Sequence, residues 1–173
     1  MRSRMTLVTG GARSGKSRFA QRLAAESGLP VVYLATASAG DPEMARRIEE
    51  HRRLRPTDWR TVEEGKDILG TIKGLRAPHT VLVDCITLWI SNLLEEGLGD
   101  EEILQRARHL ADFLPSSGHR IIIVTNEVGW GIVPPSPLGR RFRDLAGTVN
   151  QILARASDEV FLMVSGLPLR IKP

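Results

Sequence analysis

Gly10-Gly11-Ala12-Arg13-Ser14-Gly15-Lys16-Ser17 limits this chain more than any other stretch. It satisfies G-x-x-x-x-G-K-[ST] at every fixed position. The flanks also fit. Met5-Thr6-Leu7-Val8-Thr9 before it reads as a short buried strand, and Arg18 to Ala25 after it carries Phe19, Ala20, Leu23 and Ala24 at helical spacing. Glycines let such a loop adopt positive φ, so successive N–H groups converge on one anion, and the helix behind adds its positive dipole end. Lys16 supplies a mobile cation for the β- and γ-phosphates, and the Ser17 hydroxyl a ligand for Mg²⁺. The stretch implies a bound nucleoside triphosphate and leaves open which reaction follows.

The 173 residues suit one domain over 1–173 with a core of real size. Lys and Arg number 24 against 20 Asp and Glu, a net charge of +4 spread mostly as Arg, without a basic block or interleaved aromatics. That pattern argues against a nucleic-acid partner and suits an electropositive phosphate pocket. Cys85 is the single cysteine, which excludes an intramolecular disulfide framework and a cysteine-based metal site. Neither a signal peptide nor a spanning segment is visible, so a cytoplasmic protein without membrane insertion is expected.

Strand and helix patterns alternate along the chain. Gly28 and Pro30 close the first helix, and Val31 to Ala35 is a second buried strand. Thr36 to Gly40 follows as a small polar loop. Thr36 and Ser38 are there either ligand contacts at a carboxyl strand end or simple turn formers. Asp41-Pro42-Glu43 opens a helix in which Met44, Ile48 and His51 share a face, and Pro56 stops it. Asp58 to Glu64 connects to a short helix marked by Ile68, Leu69, Ile72 and Leu75. Thr80 to Asp84 is a strand with an acid at its carboxyl end, which either orients Mg²⁺ or caps the next helix. Helices are expected over Ile86–Leu94, over Ile103–Leu114 and over Leu138–Ala156. Strands are expected over Arg120–Thr125, Glu159–Val164 and, at an edge, Leu169–Lys172. A long Gly/Pro-rich loop from Asn126 to Pro135 sits at a carboxyl strand end, where function concentrates. The class is α/β, a P-loop NTPase-like (RecA-like) fold with a mostly parallel sheet flanked by helices.

The strand ending in Thr-Asn-Glu-Val lacks the base-recognition motif of a signalling GTPase, and the chain is short for a RecA-type motor. A small kinase fits better. Of four histidines, His79, His109 and His119 read as structural or solvated. His51 stands among Arg52, Arg53 and Arg55. A neutral imidazole there is a competent nucleophile toward phosphorus, and an exposed helix histidine is the plain alternative.

The glycine loop, Ala35-Thr36-Ala37, Ala45-Arg46-Arg47-Ile48 leading to His51, Arg55-Pro56, Trp59-Arg60-Thr61, Thr125-Asn126-Glu127-Val128-Gly129 and Gly131-Ile132-Val133-Pro134 together resemble the bifunctional adenosylcobinamide kinase / adenosylcobinamide-phosphate guanylyltransferase of cobalamin biosynthesis. The resemblance implies two reactions. ATP or GTP phosphorylates adenosylcobinamide. A histidine then captures GMP from GTP and passes it to adenosylcobinamide phosphate, giving adenosyl-GDP-cobinamide. It places the guanylylated histidine at His51 and nucleotide contacts at residues 10–17, at Ala35, Thr36 and Ala37, at Arg52, Arg53, Leu54 and Arg55, at Glu63 and at Asp84. Ser17 and Asp84 are the residues expected to hold Mg²⁺, and the resemblance implies a homotrimer. A P-loop kinase that transfers no nucleotide, and a nucleotide-dependent regulatory protein, are the alternatives.

Overall fold

The computed structural model describes residues 4–37, 46, 48, 49, 52, 53, 55–76 and 78–173. Seven strands form one sheet: β1 Met5–Gly10, β2 Val31–Ala35, β3 Arg60–Glu63, β4 Thr80–Asp84, β5 Arg120–Val124, β6 Glu159–Val164 and β7 Leu167–Lys172. Their order is β3-β2-β4-β5-β1-β6-β7. All neighbours are parallel except β6 and β7. One register line crosses Glu63, Ala35, Asp84, Val124 and Val8, so the carboxyl ends of five strands meet along one edge. The order reverses between β1 and β4, with β5 inserted between them.

The inner strands are apolar on both faces, as a parallel sheet covered on both sides requires. Leu7, Leu34, Val81, Val83, Ile121 and Ile123 point into one core layer. Val8, Tyr33, Ala35, Leu82, Ile122 and Val124 point into the other. The first layer is covered by α2 Ile68–Lys73, α3 Ile86–Glu95, α4 Asp100–Phe113 and α5 Pro137–Ala156, with Trp89 wholly buried in it. Of the described helices, α1 Lys16–Ala25 covers the second through Phe19, Ala20 and Ala24. At roughly 25 cal/mol per Å² of apolar area, burial of this kind is the main force holding sheet and helices together.

Strands β2, β4 and β6 take the bounds expected from their apolar runs. Several expectations change, three of them for a clear physical reason. β3 was not anticipated: Arg60-Thr61-Val62-Glu63 is mostly exposed and, among the described residues, pairs only with β2, so it lacks the apolar run of a central strand. Helix α1 begins at Lys16, inside the glycine motif, because Gly15 in the left-handed region is its N-cap. The last strand begins at Leu167, two residues early, since Ser165 and Gly166 at φ 51° and 83° make a tight hairpin with β6. The expected start of the helix after β2, at Asp41-Pro42-Glu43 with Met44, lies outside the described residues.

Candidate functional site

The glycine loop bridges β1 and α1 at the carboxyl edge. Gly10 has φ +148°, and a Cβ there would meet the Met163 carbonyl oxygen at 2.6 Å. Gly15 has φ +93°, and its Cβ would press the Gly166 Cα at 3.2 Å. Both positions therefore demand glycine. The β6–β7 turn props the loop: the Gly166 amide donates to the Ser14 carbonyl at 3.0 Å. Ala12 and Arg13 are exposed at the crown, and Gly11 and Ser14 are half-buried. Helix α1 has no acid in its first turn, so its N-terminal amides face the loop without an internal counter-charge.

Lys16 is buried, and its ammonium donates to the Gly11 carbonyl and, at 3.5 Å, to Ser14 Oγ. Burial lowers its pKa; Cys85, Asp84 and Glu127 act in the opposite sense. Burial pushes the Cys85 thiol up, so at neutral pH it is uncharged and the two acids supply that pull. Ser17 is half-buried, and its hydroxyl has no hydrogen-bond partner among the described residues.

The acid expected at the end of β4 is held from two sides. Tyr33 Oη donates to Asp84 Oδ2 at 2.7 Å. Burial, and then the Asp84 charge, push the phenol well above its ordinary pKa, so it stays a donor. The Arg55 guanidinium stacks 3.6 Å from the Tyr33 ring centroid. Arg55 Nη1 donates to Thr61 Oγ1 at 3.5 Å, while its Nε is buried without a partner among the described residues. A buried unpaired donor costs about 1–3 kcal/mol, which an acceptor atom of a ligand would offset.

Thr36, expected either at the ligand or in a turn, is wholly buried. Its hydroxyl donates to the Cys85 carbonyl and accepts from the Cys85 amide, both at 2.7 Å. It staples the ends of β2 and β4 together, and its side chain presents no free polar atom. Asn92 Nδ2 braces the same corner by donating to the carbonyls of Thr36 and Gly65, at 2.8 and 3.0 Å. Ala35 is paired in the sheet opposite Asp84, and Ala37 is half-buried just beyond.

Farther along the edge, Arg52 is ion-paired with Glu63 at the end of β3. Arg53 reaches Glu49 at 3.4 Å. Both arginines are exposed. His51, Leu54 and Ser38 lie outside the described residues. The structure thus brings together the glycine loop, Lys16, Ser17, Asp84 and Arg55, while Glu63 and Arg52 form a pair at the far side of β2.

The family model described as cobinamide kinase / cobinamide phosphate guanyltransferase matches residues 6–171. The chain belongs to this family. Among its relatives, the bifunctional adenosylcobalamin biosynthesis protein CobP of Pseudomonas aeruginosa is 49% identical, over 96% of each chain. The bifunctional adenosylcobalamin biosynthesis protein CobU of Escherichia coli is 45% identical, over 97% of this chain and 99% of that one. Among solved structures, a Pyrococcus horikoshii protein studied as PH0250 aligns with TM-score 0.62 at 12% identity, covering 99% of this chain and 88% of that one. The RadB recombinase aligns with TM-score 0.52 at 18% identity, covering 93% and 74%. The structural likenesses establish the P-loop, RecA-like fold.

Oxygen donors that could hold a cation are sparse at this edge. No group of three or more His, Cys, Asp or Glu among the described residues could hold a metal. The Ser17 hydroxyl and the Asp84 carboxylate fit Mg²⁺, which keeps most of its shell as water and phosphate oxygens. Sequence reading missed Tyr33 as the partner of Asp84, and it missed Glu127. Thr9 Oγ1 donates to Glu127 Oε1 at 2.7 Å, and Asn150 Nδ2 does so at 3.4 Å. The signal for Glu127 was its place in the loop after β5.

Proposed function

We propose that this chain phosphorylates adenosylcobinamide with ATP or GTP. It then moves GMP from GTP, through a covalent bond to His51, onto adenosylcobinamide phosphate. The product is adenosyl-GDP-cobinamide. One observation carries the reading: the family model spans residues 6–171 and so takes in both the glycine loop and the His51 segment.

The glycine-loop amides, the α1 N-terminus and Lys16 bind and neutralise the phosphates of the nucleotide for both reactions. In the first, the acceptor hydroxyl attacks the γ-phosphorus and the nucleoside diphosphate leaves. In the second, a neutral His51 nitrogen attacks the α-phosphorus of GTP, the bond to the β-phosphate breaks, and pyrophosphate leaves. An oxygen of the cobinamide phosphate then attacks that phosphorus, and the bond to nitrogen breaks. Arg52, Arg53 and Arg55 neutralise the charge that passes to pyrophosphate, and Arg55 Nε offers an unspent donor for it. Ala35, Ala37, Leu54 and Glu63 complete the nucleotide site, and the buried Thr36, expected there as a contact, braces it from beneath instead. Ser17 and Asp84 hold Mg²⁺, which supplies Lewis-acid stabilisation of phosphate charge when bound.

The loop after β5 forms part of the corrinoid surface, with Trp130, Ile132 and Val133 exposed on it. The working form is a cytoplasmic homotrimer of single-domain chains that engages no nucleic acid. No helix among the described residues is long and apolar enough to cross a membrane.

Incubation with GTP labelled at the α-phosphorus tests the reading. The expected result is an acid-labile protein adduct that His51→Asn abolishes. An adduct undiminished in that variant overturns the role of His51. Cobinamide phosphorylation with no adduct in the unaltered chain leaves the kinase alone.

A further inference from the structure

Of the three bond-forming steps just proposed, only one uses a neutral oxygen nucleophile. An imidazole nitrogen attacks with its own lone pair, and a phosphate oxygen is already anionic. The cobinamide hydroxyl must lose a proton, so a base is needed for phosphorylation and for nothing else.

The sheet order restricts where that base can stand. β5 lies between β1, which feeds the glycine loop, and β4, which ends in Asp84. Residues leaving β5 therefore emerge between the phosphate cradle and the acid of the cation site. The chain keeps hugging β1 after the strand ends: the Thr125 amide donates to the Val8 carbonyl at 3.0 Å, and the Glu127 amide to the Gly10 carbonyl at 3.0 Å. Glu127 is thus pinned to the first residue of the glycine loop.

Its side chain is aimed with equal care. Oε1 accepts from Thr9 Oγ1 at 2.7 Å and from Asn150 Nδ2 at 3.4 Å. Asn150 is itself fixed, accepting from Thr125 Oγ1 at 2.7 Å and donating to the Asn126 carbonyl at 3.1 Å. Oε2 has no partner among the described residues, and Glu127 is only half-buried. One carboxylate oxygen is anchored from β1 and α5, and the other is left for a ligand. Among the described residues Asp84 is the other nearby acid, but it sits one strand farther from the loop, and its Oδ2 takes the Tyr33 hydroxyl.

We infer that Glu127 is the catalytic base of the phosphorylation step, with Thr9 and Asn150 as its positioning residues. As the cobinamide oxygen bonds to the γ-phosphorus, the bond from that phosphorus to the bridging oxygen breaks, and its electron pair leaves with the nucleoside diphosphate. The hydroxyl proton passes to Glu127 Oε2 and then to solvent. A positioned base of this kind contributes about 10²–10⁴-fold, and a loose phosphoryl transition state favours the low end.

The inference rests on the bifunctional reading, and the experiment separates the two. Cobinamide phosphorylation, GMP capture from labelled GTP, and GMP transfer to cobinamide phosphate are measured separately in the unaltered chain, Glu127→Gln and Thr9→Val, beside thermal melts. Gln keeps an oxygen for Thr9 and Asn150 but cannot take a proton. Expected for Glu127→Gln is a loss of about 10²-fold in kcat for phosphorylation, with KM for the nucleotide little changed. Capture and transfer of GMP proceed as before. Thr9→Val shows a smaller loss, confined to the same step. Phosphorylation by Glu127→Gln at the normal rate overturns the inference, as does a parallel loss of all three steps in a folded variant. If Glu127→Gln fails to fold, Thr9→Val decides: a loss outside phosphorylation, or none, overturns it. An unaltered chain that captures GMP yet phosphorylates no cobinamide overturns the functional reading and the base with it. An active Glu127→Gln beside an active unaltered chain overturns the base alone.

Discussion

Lys16 is buried under its own loop, and burial lowers its pKa while Asp84 and Glu127 oppose the shift. Under the proposed function, such a lysine is held for the phosphates rather than for stability. Lys16→Ala should keep the folded state and lower both phosphorylation and GMP capture by about 10²-fold or more. Radiometric assay of the two steps checks this, and full retention of either one refutes a shared cradle. His119 carries a different kind of prediction. It is buried, its Nδ1 accepts from the His79 amide at 3.2 Å, and burial followed by the neighbouring His79 lowers its pKa. Below about pH 6.5 the unfolded chain binds a proton that the folded chain resists. Stability therefore falls as pH drops through that value, until the folded pKa is passed. Urea denaturation between pH 7.5 and 5 should show this slope, and His119→Gln should flatten it.

Each element at the edge has a physical reason for being readable or hidden. The glycine loop was legible because Gly10 at φ +148° leaves 2.6 Å between a would-be Cβ and the Met163 carbonyl. Gly10→Ala should cost about 1–3 kcal/mol by urea denaturation and weaken nucleotide binding with it. β4 and β6 were legible because burial produces continuous apolar runs. β3 was not, since four mostly exposed residues beside a single partner strand carry no such run. The loop after β5 contains a single 3₁₀ turn at Val128–Trp130 and leaves Trp130 68% exposed. Trp130→Ala should weaken corrinoid affinity about tenfold or more in equilibrium dialysis with nucleotide affinity unchanged, as expected of an aromatic contact removed from the cradle. Unchanged corrinoid affinity would remove this loop from the docking surface.

At the scale of the whole molecule, distant segments are locked by a few long-range ties. Glu159, nearly buried at the start of β6, pairs with Arg4 before β1 and with Arg170 in β7 at 2.7 Å each. Glu159→Ala leaves two cations without their carboxylate. Both arginines are about half exposed, so solvent screens part of the effect, and a loss of about 1–3 kcal/mol is expected in chemical denaturation. The sequence by itself determined the glycine loop, the alternation of strand and helix, and the family to which the motifs belong. Each of these rests on local backbone demands and residue spacing. Only the tertiary structure decided which side chains meet at the cradle. Tyr33 reaches Asp84 across 51 residues of chain, and Thr9 reaches Glu127 across 118. Those meetings follow from β5 entering between β1 and β4, and strand order is set by packing of the whole sheet, which no local window of sequence encodes.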